Sequence, residues 1–313
     1  LLFTTIYPLP PPLHGGAGFT WFFAAGICFA EIVAYCGDDP LTVNRSNCGG
    51  SSVIGKLTEA ILEAGHLAQR HFGRLEAAQV ENKGEVDLVT VADREVEAFL
   101  RQRLQAVVPG AGFLGEEGAT SAALPDTGDP YFVVDPIDGT TNFVHGHPFY
   151  AISVALRKHR ETILAAVLCP PLNELFTAER GSGAFLGNRR LQVSSTTVLL
   201  NSLVATGFAC VRQRQKPDNL PLFTDVVYRV RGVRRGGSAA LDCCYVAAGR
   251  LDLFWEYNLR PWDIAAGSLI VREAGGRTTD LDGQGNGEDA KTFLASNGQL
   301  HQAFLGLVPA AGK

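Results

Sequence analysis

Asp135 and Asp138 stand three residues apart at the end of an apolar run, Tyr131-Phe132-Val133-Val134, and the chain passes directly into Gly139-Thr140-Thr141-Asn142-Phe143. Such a run reads as a buried strand. Two carboxylates delivered together by a buried strand repel one another and lose solvation, so they persist where a cation or a strong donor offsets their charge. Oxygen ligands with no His or Cys among them favour magnesium or a similar hard ion over zinc. The carbonyl of Ile137, between the two acids, is a further candidate ligand, and Pro136 removes a donor and restricts the turn. The chemistry expected is a magnesium site at the C-terminal end of a strand.

Such a site needs more carboxylates, and two other segments offer them. Glu116-Glu117 lies between Gly115 and Gly118, just after the apolar stretch Ala111-Gly112-Phe113-Leu114. Asp263 opens a segment in which Ile264, Gly267, Ile270 and Val271 recur at helical spacing until Gly275-Gly276 stops it. The spacing predicts a helix with Asp263 at its N-terminus, where free N–H groups attract anions such as phosphate. Asp is equally an ordinary N-cap, and both readings stand at this point.

Asp87-Leu88-Val89-Thr90-Val91-Ala92-Asp93, Gly115-Glu116-Glu117, Asp135 through Phe143, and Trp262 through Gly267 with Glu273-Ala274-Gly275-Gly276 follow one another along the chain. In this order they resemble the motifs of the inositol monophosphatase family, within the magnesium-dependent, lithium-sensitive sugar-phosphatase superfamily. The resemblance covers roughly residues 53–308. One such motif alone is a weak pattern, whereas four in register make coincidence improbable. Arg231 to Ala240 and Phe254 to Asp263 look most like plant and algal-type members.

The resemblance implies a layered α/β/α/β/α sandwich and assigns roles residue by residue. Glu116, Asp135 and the Ile137 carbonyl would hold one magnesium, and Asp135, Asp138 and Asp263 a second, with two or three ions per site. Thr140 and Glu116 would orient and deprotonate the attacking water, and Asp93 would support Thr140. The backbone N–H groups of Gly139 and Thr140 would hold phosphate, with Asp138 and Asp263 also facing the substrate. Gly237-Ser238-Ala239 matches the loop that faces the alcohol part, and Glu256 the carboxylate that reads inositol hydroxyls; a solvated strand-end acid is the competing reading of Glu256. Lys83 would steer phosphate, or is a surface lysine. The implied reaction is hydrolysis of inositol 1-phosphate, a small phosphorylated polyol, by metal-activated water in a homodimer. Histidinol-phosphate, fructose 1,6-bisphosphate and nucleotide 3′-phosphate phosphatase activities are alternatives, as is a non-catalytic regulatory member.

The chemistry accounts for these residue types. A phosphate monoester dianion repels hydroxide, and cations offset that repulsion, lower the pKa of water and stabilise the departing alkoxide. No covalent nucleophile is then needed. Cys243-Cys244 lies in a small-residue helical stretch, Ala239 to Ala248, and reads as buried structural cysteine.

The elements that must position these groups are legible as patterns. Val53, Leu57, Ile61, Ala64, Ala68 and Phe72 give an amphipathic helix capped by Ser51 or Ser52. A second helix is expected from about Asp93 to Val107, ended by Pro109-Gly110. Strands are expected at 131–135, 151–156, 162–168, 174–178 and 183–186, the last turning through Gly187 to Arg190 into Leu191-Gln192-Val193. Strands at 202–206, 251–255 and 292–295 mix with helices near Ala239 and Ile264, and Asp282 to Glu288 reads as a mobile surface turn.

Composition sets limits on partners. The 313 residues are 46% hydrophobic, enough for a large core, and carry a net charge of −5. Arg229, Arg231, Arg234 and Arg235 alternate with Val and Gly as an exposed strand or loop, so nucleic acid is not the expected partner. Seven Cys without a CxxC pair suit a reducing compartment better than a zinc site or disulfide framework. Residues 1–50 read differently: few charges, Pro10-Pro11-Pro12, and an uncharged Phe- and Ala-rich run from Ala17 to Ala30. That run falls short of the ~20 residues needed to span a bilayer, so no membrane partner is expected. The segment has neither a basic n-region nor an Arg- and Ser-rich transit composition, and the chain contains no Met. It is set apart as an extension, either a targeting remnant or an unreliable start, with residues 51–313 as the phosphatase domain. Cytoplasm, or chloroplast stroma for a targeting remnant, is the corresponding location.

Overall fold

Small side chains on one face of a seven-stranded sheet set the spacing of this fold. The computed structural model describes residues 52–82, 88–118 and 128–309. In the large sheet the order is β3 (Gly112–Gly115), β4 (Tyr131–Asp138), β5 (Ala151–Lys158), β6 (Glu161–Cys169), β7 (Glu174–Glu179), β8 (Gly183–Leu186) and β9 (Arg189–Arg190). The β3–β4 pair is parallel and every other pair antiparallel. Alternation sorts the side chains by size. Phe132, Val134, Ile152, Val154, Leu164 and Leu168 point to one face, where they pack on α1 (Val53–His71) and α2 (Val91–Val107). Ala151, Ala155, Ala165, Ala178 and Ala184 point to the other, which lets α6 (Ala239–Ala247) and α7 (Pro261–Glu273) approach closely. Those two helices cross so tightly that a Cβ on Gly267 would lie 2.5 Å from Cys243 Cβ.

The same helix pair is covered on its far side by a second sheet. Its order is β11 (Gly232–Arg234), β10 (Leu203–Thr206), β12 (Leu253–Tyr257), β14 (Thr292–Ser296) and β13 (Arg277–Thr279). Ala205, Phe254, Phe293 and Ala295 face α6 and α7, while Val204, Leu253, Trp255 and Leu294 face Leu222 and Val226 of α5 (Leu220–Val227) and Phe304 of α8 (His301–Leu305). The layers are therefore helix, sheet, helix, sheet, helix, as the resemblance implies. A short antiparallel pair, β1 (Val80–Asn82) with β2 (Leu88–Thr90), leads into α2.

Differences from the sequence reading have local causes. The second helix begins at Val91, because Thr90 caps it: Thr90 Oγ1 accepts from Ala92 N at 3.1 Å, and Asp93 Oδ2 accepts from Thr90 N at 2.8 Å. The hairpin after β8 turns at once on Gly187-Asn188, so its return strand is Arg189–Arg190 and not Leu191–Val193. The loop ending at Glu288 is not wholly a surface turn. Glu288 is buried, accepts from Thr162 Oγ1 and Arg272 Nη1 at 2.7 Å each, and pairs with the buried Arg157 at 3.5 Å. Arg157 also meets Asp289 at 3.0 Å, so each charge of the buried pair has a second partner. Lys83, Asp87 and the boundary of the N-terminal extension lie outside the described residues.

Candidate active site

Residues three apart on a regular strand face opposite ways, so Asp135 and Asp138 cannot both reach one cleft from an ideal β4. A bulge resolves this: Asp135 pairs with Ser153 and Asp138 with Ala151, three steps against two. Gly139 then turns the chain at φ 100°, with so little room that a Cβ would lie 3.0 Å from Gly237 O. Beyond it begins the short helix α3 (Thr140–Val144).

Four other elements bring their groups to this point. Glu116 follows β3, its N–H bonded to Val134 O at 3.2 Å. Asp93 sits in the first turn of α2, fully buried, with Oδ1 3.3 Å from Thr140 Oγ1; that hydroxyl is also 3.1 Å from Ile137 O. Asp263 is the third residue of α7, where its Oδ2 accepts from Arg260 N at 2.7 Å. It closes the helix start from inside rather than serving as the N-cap. Glu256 comes from β12, its carboxylate packed where a Cβ on Gly207 would overlap it.

The result is a cleft of about 320 Å³ lined by Glu116, Asp135, Ile137, Asp138, Gly139, Thr140, Gly237, Ala239, Glu256 and Asp263. Asp93 stands behind Thr140. Ser238 does not line the cleft: its Oγ donates to Asp138 Oδ2 at 2.7 Å and accepts from Leu241 N, capping α6. Ala240 N donates to the same Asp138 oxygen at 2.7 Å, so Asp138 closes the N-terminus of α6. Arg235, read from the sequence only as part of an exposed strand or loop, lines the cleft, as do Arg212 at the end of α4 (Ala209–Arg212) and Asn142, whose Nδ2 ties Phe149 O (2.6 Å) to Gly236 O (2.9 Å). Sequence reasoning passed over Asp242, buried in the first turn of α6. A Gly-Gly loop flanked by an Arg and an Asp was the available signal.

Electrostatically the cleft is a set of acids under strain. Burial pushes Asp135 well above the usual carboxylate range, and Glu116, Asp138, Asp263 and Asp93 add to it. Burial does the same to Asp263, with Asp138 next. Asp138 rises to about 6 through burial, held down by its bonds from Ser238 and Ala240. Glu256 rises to about 7 through burial, opposed first by Arg235. Among the described residues no three His, Cys, Asp or Glu side chains are gathered to hold an ion as they stand. The donor set nevertheless fits a hard divalent cation: it is all oxygen, buried at Asp135 and Asp138 and half-buried at Glu116 and Asp263, and mutually repelling in a way that only added positive charge relieves. The four described cysteines, Cys169, Cys210, Cys243 and Cys244, are buried and unpaired, and burial raises the thiols of Cys243 and Cys244 well above their usual range. Among the described residues no thiolate nucleophile is on offer.

A sequence model of the inositol monophosphatase family matches residues 51–313. An inositol-1-monophosphatase of Rhizobium meliloti is 43% identical over 81% of this chain and 95% of its own length. The Nus factor SuhB of Pseudomonas aeruginosa is 41% identical over 79% of this chain and 92% of its own. The crystal structure of the extragenic suppressor protein suhB from Bartonella henselae superposes with a TM-score of 0.75 at 39% identity, covering 83% of this chain and 99% of that one. Fold and relatives together define a phosphoric monoester hydrolase. The chain belongs to the inositol monophosphatase family, in which magnesium dependence and lithium sensitivity are general. Among the described residues no helix is long and apolar enough to cross a membrane.

Proposed function

We propose that this chain hydrolyses a small phosphorylated polyol, with inositol 1-phosphate as the leading substrate. The observation that supports this most directly is the convergence of Glu116, Asp135, Asp138 and Asp263 in one cleft with Glu256 on its wall. Glu116, Asp135 and the Ile137 carbonyl would hold one magnesium ion, and Asp135, Asp138 and Asp263 another. Bound there, magnesium would supply charge neutralisation and Lewis acidity.

The chain's own groups account for the remaining steps. Water attacks phosphorus opposite the ester oxygen, the bond to the alcohol breaks, and the alcohol leaves with a proton from solvent. Glu116 and the Thr140 hydroxyl orient that water and accept its proton, and Asp93, 3.3 Å from Thr140, takes the proton on. The N–H groups of Gly139 and Thr140 hold phosphate oxygens at the start of α3. Glu256 accepts from polyol hydroxyls, and the Gly237–Ala239 backbone borders the alcohol.

The test is phosphate release from inositol 1-phosphate, fructose 1,6-bisphosphate, histidinol phosphate and adenosine 3′,5′-bisphosphate, with and without magnesium. Magnesium-dependent release led by inositol 1-phosphate supports the reading; a lead by another ester reassigns the substrate. A second reading draws on the SuhB relative, named a Nus factor. A role of that kind in this chain predicts folded, metal-binding protein with no release from any of the four.

A further inference from the structure

Glu97 is a buried acid that neither the cleft nor its family assignment uses. It lies on α2 one turn after Asp93, 5% exposed, and its Oε2 accepts from Glu117 N at 2.8 Å. Its other oxygen is 3.2 Å from Arg101 Nη2, and the Arg101 guanidinium sits 4.0 Å above the Phe113 ring. The loop carrying Glu116 is folded around this carboxylate. A Cβ on Gly115 would lie 2.3 Å from Glu97 Oε2, and one on Gly118 3.1 Å from Oε1. Both glycines thus leave room for Glu97.

Glu116 is held from one side by its own N–H on Val134 O in β4. On the other side the next peptide is held by Glu97. We infer that Glu97 is a positioning residue for Glu116, fixing the loop after β3 so that the Glu116 carboxylate faces Asp135. One helix face then supports both partners of the attacking water: Asp93 holds Thr140, and Glu97, four residues on, holds the Glu116 loop. Proximity of i and i+4 on a helix makes this possible. The inference rests on the role proposed for Glu116.

Three substitutions in the full chain test it. Glu97→Ala removes the acceptor, Glu97→Asp keeps the charge but falls a methylene short, and Glu97→Gln keeps an oxygen at the same reach. Magnesium affinity is read by calorimetry without substrate, and kcat and KM by phosphate release. Removing a partner that orients a metal-binding group typically costs about 10–100-fold in affinity or activity. Ala and Asp are expected to weaken magnesium binding and kcat within that range with substrate KM little changed, and Gln to restore both within about threefold of the parent. In a double-mutant cycle with Glu116→Gln, Glu97→Ala should add almost nothing to the loss in kcat. Additive losses, or a lowered melting temperature with unchanged magnesium affinity and kcat, overturn the inference. If Glu97→Ala does not fold, Glu97→Asp carries the same comparison. Full turnover by Glu116→Gln would defeat the proposed role of Glu116, while the calorimetry still reports whether Glu97 places the loop.

Discussion

Thr140 Oγ1 lies 3.3 Å from Asp93 Oδ1, although the two residues are 47 positions apart and on different elements. Asp93 is fixed in turn by the N–H and hydroxyl of Thr90 at 2.8 and 2.6 Å. The hydroxyl expected to handle the water's proton is therefore backed by a buried acid that is itself locked by a helix cap. Neighbouring acids are also held by hydrogen bonds, and three predictions come from how they are held.

Asp135→Asn should lower turnover by more than about 100-fold, the scale on which metal sites respond to loss of support. Without magnesium the variant should melt no lower than the parent, because burial and the surrounding acids already penalise the ionised form of Asp135. Phosphate release and a melting curve in chelator check both halves. Substantial residual turnover would remove Asp135 from the metal site.

Ser238→Ala separates two roles for one hydroxyl. Its bond to Asp138 and its cap on Leu241 N predict weaker magnesium affinity and a stability loss of about 1 kcal/mol. A hydroxyl that reads substrate would instead raise KM for inositol 1-phosphate at saturating magnesium. That second outcome would show that Ser238 turns into the cleft when substrate binds.

Glu256→Gln should depress hydrolysis of inositol 1-phosphate by about tenfold or more, the loss of a hydrogen bond to a charged group being about 1.5–3 kcal/mol. Hydrolysis of a simple aryl phosphate, which offers no hydroxyls, should change far less. Equal losses on both substrates would mean that Glu256 does not read the polyol.

His301 should make the fold acid-sensitive. It is fully buried between Thr279 Oγ1 at 2.9 Å and Ser296 Oγ at 2.8 Å, and burial, with Arg277, lowers its pKa to about 4. The unfolded chain, with the ordinary value of 6.5, binds the proton first as pH falls. The contribution of His301 is therefore complete above about 6.5 and lost progressively towards 4. Urea midpoints at pH 7 and pH 4.5 should fall further for the parent than for His301→Gln, which starts lower but has no proton to take up. Parallel slopes would rule out His301 as the titrating group.

The family of this chain was readable from the order and type of its motifs. Asp-x-x-Asp at a strand end, Glu116 beside a glycine and Asp263 near a helix start stood out in the sequence as candidate oxygen donors, and the fold brings them to one cleft. Long periodic elements such as α1, α2, β4–β7 and α7 were equally legible, because burial of a face imposes its period on the residues. The short edge elements β3, β9, β11 and β13 were weaker in the sequence, since strands of two to four residues carry too few alternations to register.

What only the tertiary structure decided was where each side chain points. Strand alternation puts Asp135 and Asp138 on opposite faces, and a bulge against Ser153 and Ala151, set by the neighbouring strand, brings both to the cleft. Ser238 reads as a substrate contact until α6 is seen to start over Asp138. Nothing in the sequence singles out Glu97, and only the fold shows the loop of Glu116 wrapped around it. Residue type is written locally, but direction depends on partners about 20 to 100 residues away, which local pattern cannot contain.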